Sequence, residues 1–343
     1  MRWRRILIGV DFRTPSLHAA RWAAAALGAR AELELAYVAS PTLAAFDDSP
    51  APTLRTARAG LQAFAETLRA GGGAAGAGNG APLRVRVHVE AGATVSRLCA
   101  LARRRGADLV VVGRGPVSTR RGRTLERLLR HQRVPVLVVG AGAPVPAGPV
   151  RRVLAALDTA PIGAQVAGAA GAFAALAGDA ATEFTLLHVG REGPGRPERW
   201  TSEVEGWLRA QGEPLAAELR GAGVTDVARL RVQAVAGVVA PVVLAAAREQ
   251  GSELVVIGRN GRHAAGATEF GSAARVVVRA APMPVLVVPP AGERPPRGGP
   301  RPDQRERRGL RLIPPTPTPT PPSPRSPIAT PTPAPGPCPE PAA

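Results

Sequence analysis

The stretch Leu254-Val255-Val256-Ile257-Gly258-Arg259-Asn260-Gly261, followed after nine residues by Gly271-Ser272 and closed by Pro284-Val285-Leu286-Val287-Val288, decides the reading of the chain. The two β-branched runs carry no polar alternation, which predicts strands buried on both faces, and the segment between them has helical spacing. Glycine at 258 and 261 lets the backbone come close to a bound group. Gly271-Ser272 opens a helix whose unpaired N–H groups attract anions. Strand, glycine loop, helix and strand in this order imply a bound phosphate.

Upstream the chain alternates in the same way. Ile6 to Asp11 reads as a strand ending in an acid, 16–29 as a helix, 32–38 as a strand, 54–68 as a helix and 83–89 as a strand. A helix at 93–105, a strand at 109–112, a helix at 124–131 and a strand at 136–139 complete the run. Alternating β and α predicts a doubly wound parallel sheet. Residues 141–148, rich in Gly, Ala and Pro, read as a linker. The order then repeats from Val153 to Asp158 through helices at 163–176, 200–220 and 239–250 and strands at 184–189 and 230–235. Asp11 and Asp158 lie 147 apart, Gly113 and Gly258 145, and Pro135 and Pro284 149, so the first repeat has lost four residues in one loop.

Composition narrows the function classes. The 343 residues suffice for two domains and a tail. All 44 basic residues are arginine, which removes the lysine of a Walker A loop, of a protein kinase and of a Schiff-base enzyme. The formal charge of +18 favours polyanions, but it is spread along the chain without interleaved aromatics, which argues against specific nucleic-acid binding. Cys99 and Cys338 are too few and too far apart for a disulfide or metal framework, and His188 reads as structural. Trp22, Trp200 and Trp207 fall in helical stretches and read as packing. The apolar run 235–247 is too short for a membrane span, and the short N-terminal apolar run reads as a strand, so a cytoplasmic protein is expected. From Pro289 onward Arg, Pro and Gly give way to Thr-Pro repeats. Residues 291–343 are read as a disordered Pro/Arg-rich tail that could serve as a ligand for a protein partner.

The pattern Gly258-x2-Gly261-x9-Gly271-Ser272 followed by Pro284-Val-Leu-Val-Val resembles the nucleotide-binding signature of the universal stress protein family. The resemblance implies two tandem flavodoxin-like domains, each an α/β unit with a five-stranded doubly wound parallel sheet, at 1–140 and 149–290. It also implies pairing through strand five, within the chain or in a homodimer. The cofactor implied is ATP, with or without Mg2+. Carried over by position, the acid near ribose or metal is Asp158, the residue meeting the adenine is Val189, and the phosphate loop is Gly258, Gly261, Gly271 and Ser272. Arg259, Arg262 and His263 could add charge to phosphate contacts or be solvated loop residues.

The first repeat departs from this pattern. Arg114-Gly115-Pro116 follows Gly113, so a proline without an N–H stands where the second glycine belongs, and Arg123 replaces the serine after Gly122. This repeat is expected to be a degenerate copy supporting its partner, or to bind another anion. The expected function is an ATP-binding regulatory or stress-response protein with the competent site in the second repeat. No catalytic residue or dedicated metal ligand stands out, so any hydrolysis should be slow. The rivals are a metal-dependent nucleotide hydrolase using Asp158 and a nucleotide-independent polyanion or protein-interaction module.

Overall fold

The computed structural model describes residues 3–28, 30–39, 54–72, 83–115, 120–177, 182–190, 198–221, 229–261 and 270–290. The expected tail at 291–343 lies outside them, as do Arg262 and His263. In the first half the elements run β1 (Arg5–Gly9), α1 (Thr14–Leu27), β2 (Glu32–Ala39), α2 (Leu54–Gly72), β3 (Val85–Ala91), α3 (Thr94–Arg105), β4 (Leu109–Arg114), α4 (Arg120–His131) and β5 (Val136–Gly140). The second half repeats the order with β6 (Arg152–Ala156), α5 (Ile162–Ala177), β7 (Glu183–Gly190), α6 (Glu198–Gly221), β8 (Arg229–Ala236), α7 (Val239–Glu249), β9 (Leu254–Gly258), α8 (Ser272–Ala280) and β10 (Val285–Val288).

Each half has the doubly wound order read from the sequence, with its first strand between the second and the fourth. The two five-stranded halves are joined edge to edge. β5 pairs antiparallel with β10 through Val136–Val287, Leu137–Leu286 and Val138–Val285, and every other pairing is parallel. The result is one ten-stranded sheet in the order β3-β2-β1-β4-β5-β10-β9-β6-β7-β8.

Strand periodicity divides the core between the two faces of this sheet. Ile6, Ile8, Val153 and Ala155 point to the face covered by α1, α2, α5 and α6. Leu7, Leu154, Val110 and Val255 point to the face covered by α3, α4, α7 and α8. On the first face Phe173 of α5 is fully buried, with its ring 6.4 Å from Trp3 and 6.3 Å from Trp22. The aromatic residues thus connect the two halves, as large apolar area in a core otherwise built of Ala, Val and Leu.

One charged group is buried in the sheet. Glu34 of β2 is 1% exposed, and Arg105 at the end of α3 donates to it from Nε at 3.0 Å and Nη2 at 3.1 Å. His88 Nε2 lies 3.2 Å from the same carboxylate. Burial pushes the carboxyl up, but hydrogen bonds from His88 and Arg105 outweigh it and hold Glu34 down at about 2, from an ordinary 4.5. A carboxyl with a depressed folded pKa stabilises the fold fully above pH 4.5, and that contribution is lost as pH falls toward 2. Urea unfolding between pH 7 and 3 should therefore show an acid limb that Glu34→Gln flattens, with a loss of about 2 kcal/mol at pH 7. An unchanged acid limb in the variant would refute this assignment.

Candidate functional site

In the second repeat β6 lies between β7 and β9, and its carboxyl end leads into the residues singled out by motif. Asp158 follows two residues after the strand. Its Oδ1 accepts from the backbone N–H of Ala160 at 3.2 Å, which fixes the turn into α5. Its other oxygen faces the glycine loop: a Cβ at Gly261 would lie 2.5 Å from Asp158 Oδ2. Gly258 has a different cause, because a Cβ there would lie 2.8 Å from Ile162 Cγ1 at the start of α5. On the opposite side of β6, His188 Nδ1 is 2.8 Å from the Leu157 carbonyl, a bond that holds the end of β7, where half-buried Val189 follows.

The neck of the glycine loop is pinned by its backbone. Gly271 N–H donates to Arg259 O at 2.9 Å, and Arg259 N–H donates to Val288 O at 2.7 Å. α8 then begins at Ser272 with Gly271 as its N-cap, no side-chain cap bond and no acidic residue in the first turn. Its first N–H groups and the positive end of its dipole face the loop uncompensated by any such group, which favours an anion there.

Arg259 does not lie where a phosphate contact would need it. It is fully buried, and its Nη1 reaches the carbonyls of Arg130 and Gln132 at 3.0 Å and of Leu129 at 3.4 Å. The guanidinium therefore closes the C-terminus of α4, in the other repeat, where free carbonyls and the negative dipole end need a cation. Arg114, its counterpart in the first repeat, does the same for α8. Its Nη2 donates to Ala281 O at 2.7 Å and its Nη1 to Arg279 O. Each repeat thus extends an arginine, one position after the first glycine of its loop, to the last helix of the other.

At the equivalent place in the first repeat the carboxylate is engaged locally. Asp11 Oδ1 accepts from Ser16 Oγ at 2.6 Å and from Arg13 N–H at 3.1 Å. The residue between, Phe12, has φ of 60°, unlike every other non-glycine residue described, and its ring packs 5.2 Å from that of Tyr37. Beside this turn opens a cavity of about 640 Å³. It is lined by Gly9, Asp11, Val38, Val112 and Leu125 of the first repeat and by Phe270 and Val278 of the second.

A family model described as "Universal stress protein family" matches residues 2–140 and again 149–289. The chain belongs to the universal stress protein family. Among solved structures, a universal stress protein from Archaeoglobus fulgidus matches at 17% identity over 85% of this chain and 98% of its own, with a TM-score of 0.59. A putative universal stress protein from Pseudomonas aeruginosa matches at 19% identity over 83% and 93%, with a TM-score of 0.53. Both likenesses bear on the fold. A universal stress protein solved in complex with cAMP matches at 19% identity over 40% of this chain and 96% of its own, with a TM-score of 0.29. No curated protein matches.

Within the universal stress fold the residues singled out by motif divide into two groups. Asp158 and Gly261 meet, and Gly271 is tied to Arg259 O beside Ser272, while the side chain of Arg259 leaves for the first repeat. The capping arginines carry a stability consequence. Arg259→Met would leave the buried carbonyls at the end of α4 without their donor, and should lower the unfolding free energy by about 3 kcal/mol. Arg114→Met, at a half-buried site, should cost less. Denaturant midpoints of the two variants check this, and a smaller loss for Arg259 than for Arg114 would contradict it.

Proposed function

We propose that this universal stress protein is an ATP-binding regulatory or stress-response protein of the cytoplasm, with repeats at 1–140 and 149–290 and the nucleotide held by the second. The observation that carries the reading is the meeting of Asp158 and Gly261 beyond the carboxyl end of β6, beside a helix start with no side-chain cap. A side chain at 261 would push the Asp158 carboxylate aside, so glycine there keeps that carboxylate against the loop. The residues present suit a nucleotide: the backbone N–H of Ser272 at the start of α8 for phosphate, with Gly271 holding the neck of the loop through its own N–H, Asp158 for ribose hydroxyls or a phosphate-bound Mg2+, and Val189 for the base. Arg259 contributes through its backbone, since its side chain caps α4.

Regulation would follow from occupancy. A bound phosphate supplies acceptors to the N–H groups of the glycine loop and so favours one arrangement of it. No positioned general base or phosphate lysine is in the proposed set, so turnover would be slow. The described residues contain no helix long and apolar enough to cross a membrane.

Equilibrium ATP binding with magnesium, on the whole protein, tests the proposal. Wild type should bind close to one ATP per chain. Gly261→Val should abolish binding, and Gly115→Val should leave it intact. Binding that survives Gly261→Val would refute the assignment to the second repeat, and no binding by wild type would remove ATP from the reading.

A further inference from the structure

We infer that the outer side of the α3–α4 layer is a binding surface for the phosphate backbone of double-stranded nucleic acid. This goes beyond the nucleotide reading and does not depend on it. Along the chain the arginines are spread through both halves, but the fold sorts them between the two faces of the sheet. On the face covered by α3, α4, α7 and α8, the described side chains of the helices include ten arginines against two glutamates. Those of α1, α2, α5 and α6 on the other face include six arginines against five glutamates. An arginine-rich composition would load both faces alike, so the imbalance belongs to this surface.

Within that face the excess lies on the first repeat. α3 packs against α4, and Arg97, Arg103, Arg123 and Arg127 on these two helices are exposed. Arg104 is paired with Glu90, Arg105 with Glu34 and Arg279 with Glu126, whereas among the described residues none of those four has a carboxylate within ion-pair distance. Arg123 and Arg127 stand four apart on α4 and share one side of it, a like-charge spacing that costs helix stability unless an anion lies over it. The second repeat shows that the fold does not ask for these charges. At the offset of 145 before the glycine loop, Arg97 corresponds to Val242, and at the offset of 149 after it, Arg123 corresponds to Ser272 and Arg127 to Val276. The same helices pack in the same way without them.

Exposed guanidinium groups without carboxylates fit a polymer of phosphates, because each phosphate they neutralise releases a condensed counterion. Neither α3 nor α4 carries an aromatic residue, so the bases of a single strand would find no stacking platform. A duplex, whose bases are already stacked, is the form that fits. Contacts of this kind hold the backbone and carry no sequence information, so unrelated duplexes should bind alike. An anionic membrane surface shares the charge, but a lasting hold on it also needs apolar side chains to insert. None of the large apolar residues exposed among those described lies on α3 or α4.

The test is fluorescence anisotropy of a short labelled duplex titrated with the full chain over a range of salt. Giving α4 the residues of the second repeat, Arg123→Ser with Arg127→Val, should weaken binding at least about tenfold at about 0.1 M salt. The slope of log affinity against log salt should become shallower by about two. Removing two charges from the opposite face, Arg55→Ser with Arg58→Val, should change affinity less than about threefold. The arginines of 291–343 are common to both variants, so the difference between them reports the helical surface. Thermal unfolding of the Arg123 and Arg127 pair should match wild type or rise, which separates lost binding from lost fold. No salt-dependent binding by wild type overturns the proposal, as does an equal effect of the two variant pairs. Tighter binding to the single strand, or to phosphatidylserine vesicles, than to the duplex would also overturn it.

Discussion

The antiparallel pairing of β5 with β10 is the contact on which the rest of the architecture depends. Three residue pairs centred on Leu137 and Leu286 convert two parallel half-sheets into one continuous sheet and set an approximate two-fold axis between them. That axis brings α4 and α8, the helices preceding the paired strands, side by side on one face. Only in that arrangement can Arg114 and Arg259 reach across to the opposite helix ends, and only there can Phe270 and Arg275 line the same cavity as Asp11. On the other face the same axis lets Phe173 fill the space between Trp3 and Trp22.

Two copies of one scaffold have diverged in what they offer a ligand. The first glycine of each loop is kept for packing: a Cβ at Gly113 would meet Pro15 O at 2.2 Å, and one at Gly258 would meet Ile162. The second glycine is where the copies part. Gly261 leaves room for the Asp158 carboxylate, whereas the sequence of the other copy has Pro116 at the corresponding position, and Asp11 there bonds Ser16 and Arg13. Loop glycines therefore carry two separate constraints, helix packing and ligand approach, and relaxing the second left the fold untouched.

The sequence revealed whatever local chemistry determines. Buried strands such as Val136 to Val139 and Leu254 to Ile257 are uninterrupted aliphatic runs rich in β-branched residues, and the offsets between Asp11, Gly113 and Pro135 and their counterparts exposed the duplication. The expectation that strand five of each copy is a pairing edge agrees with the β5–β10 ladder. What stayed hidden depends on residues far apart in the chain. Arg259 looks like a phosphate ligand because of its loop neighbours, yet its partners are 127 to 130 residues away. The cavity was invisible for the same reason: its walls come from α3, α4 and α8, and no local pattern reports the space between packed helices. Composition added a further mask, since in a chain whose basic residues are all arginine no single arginine draws notice.

The shared sheet also bears on how such a chain must be synthesised. A strand edge formed by Val136 to Val139 or Val285 to Val288 is apolar, buried in the joined sheet and bare of charge. Released alone, either half would offer that edge to any other copy in the cell, through main-chain bonds that do not discriminate between partners. Tethering the two by the short connection between β5 and β6 keeps the correct edge at a high local concentration from the moment both halves exist. The joint therefore protects the nascent chain against wrong partners as well as completing the native sheet, and a gene fission within the connection would lose this protection before it lost any residue of the binding sites.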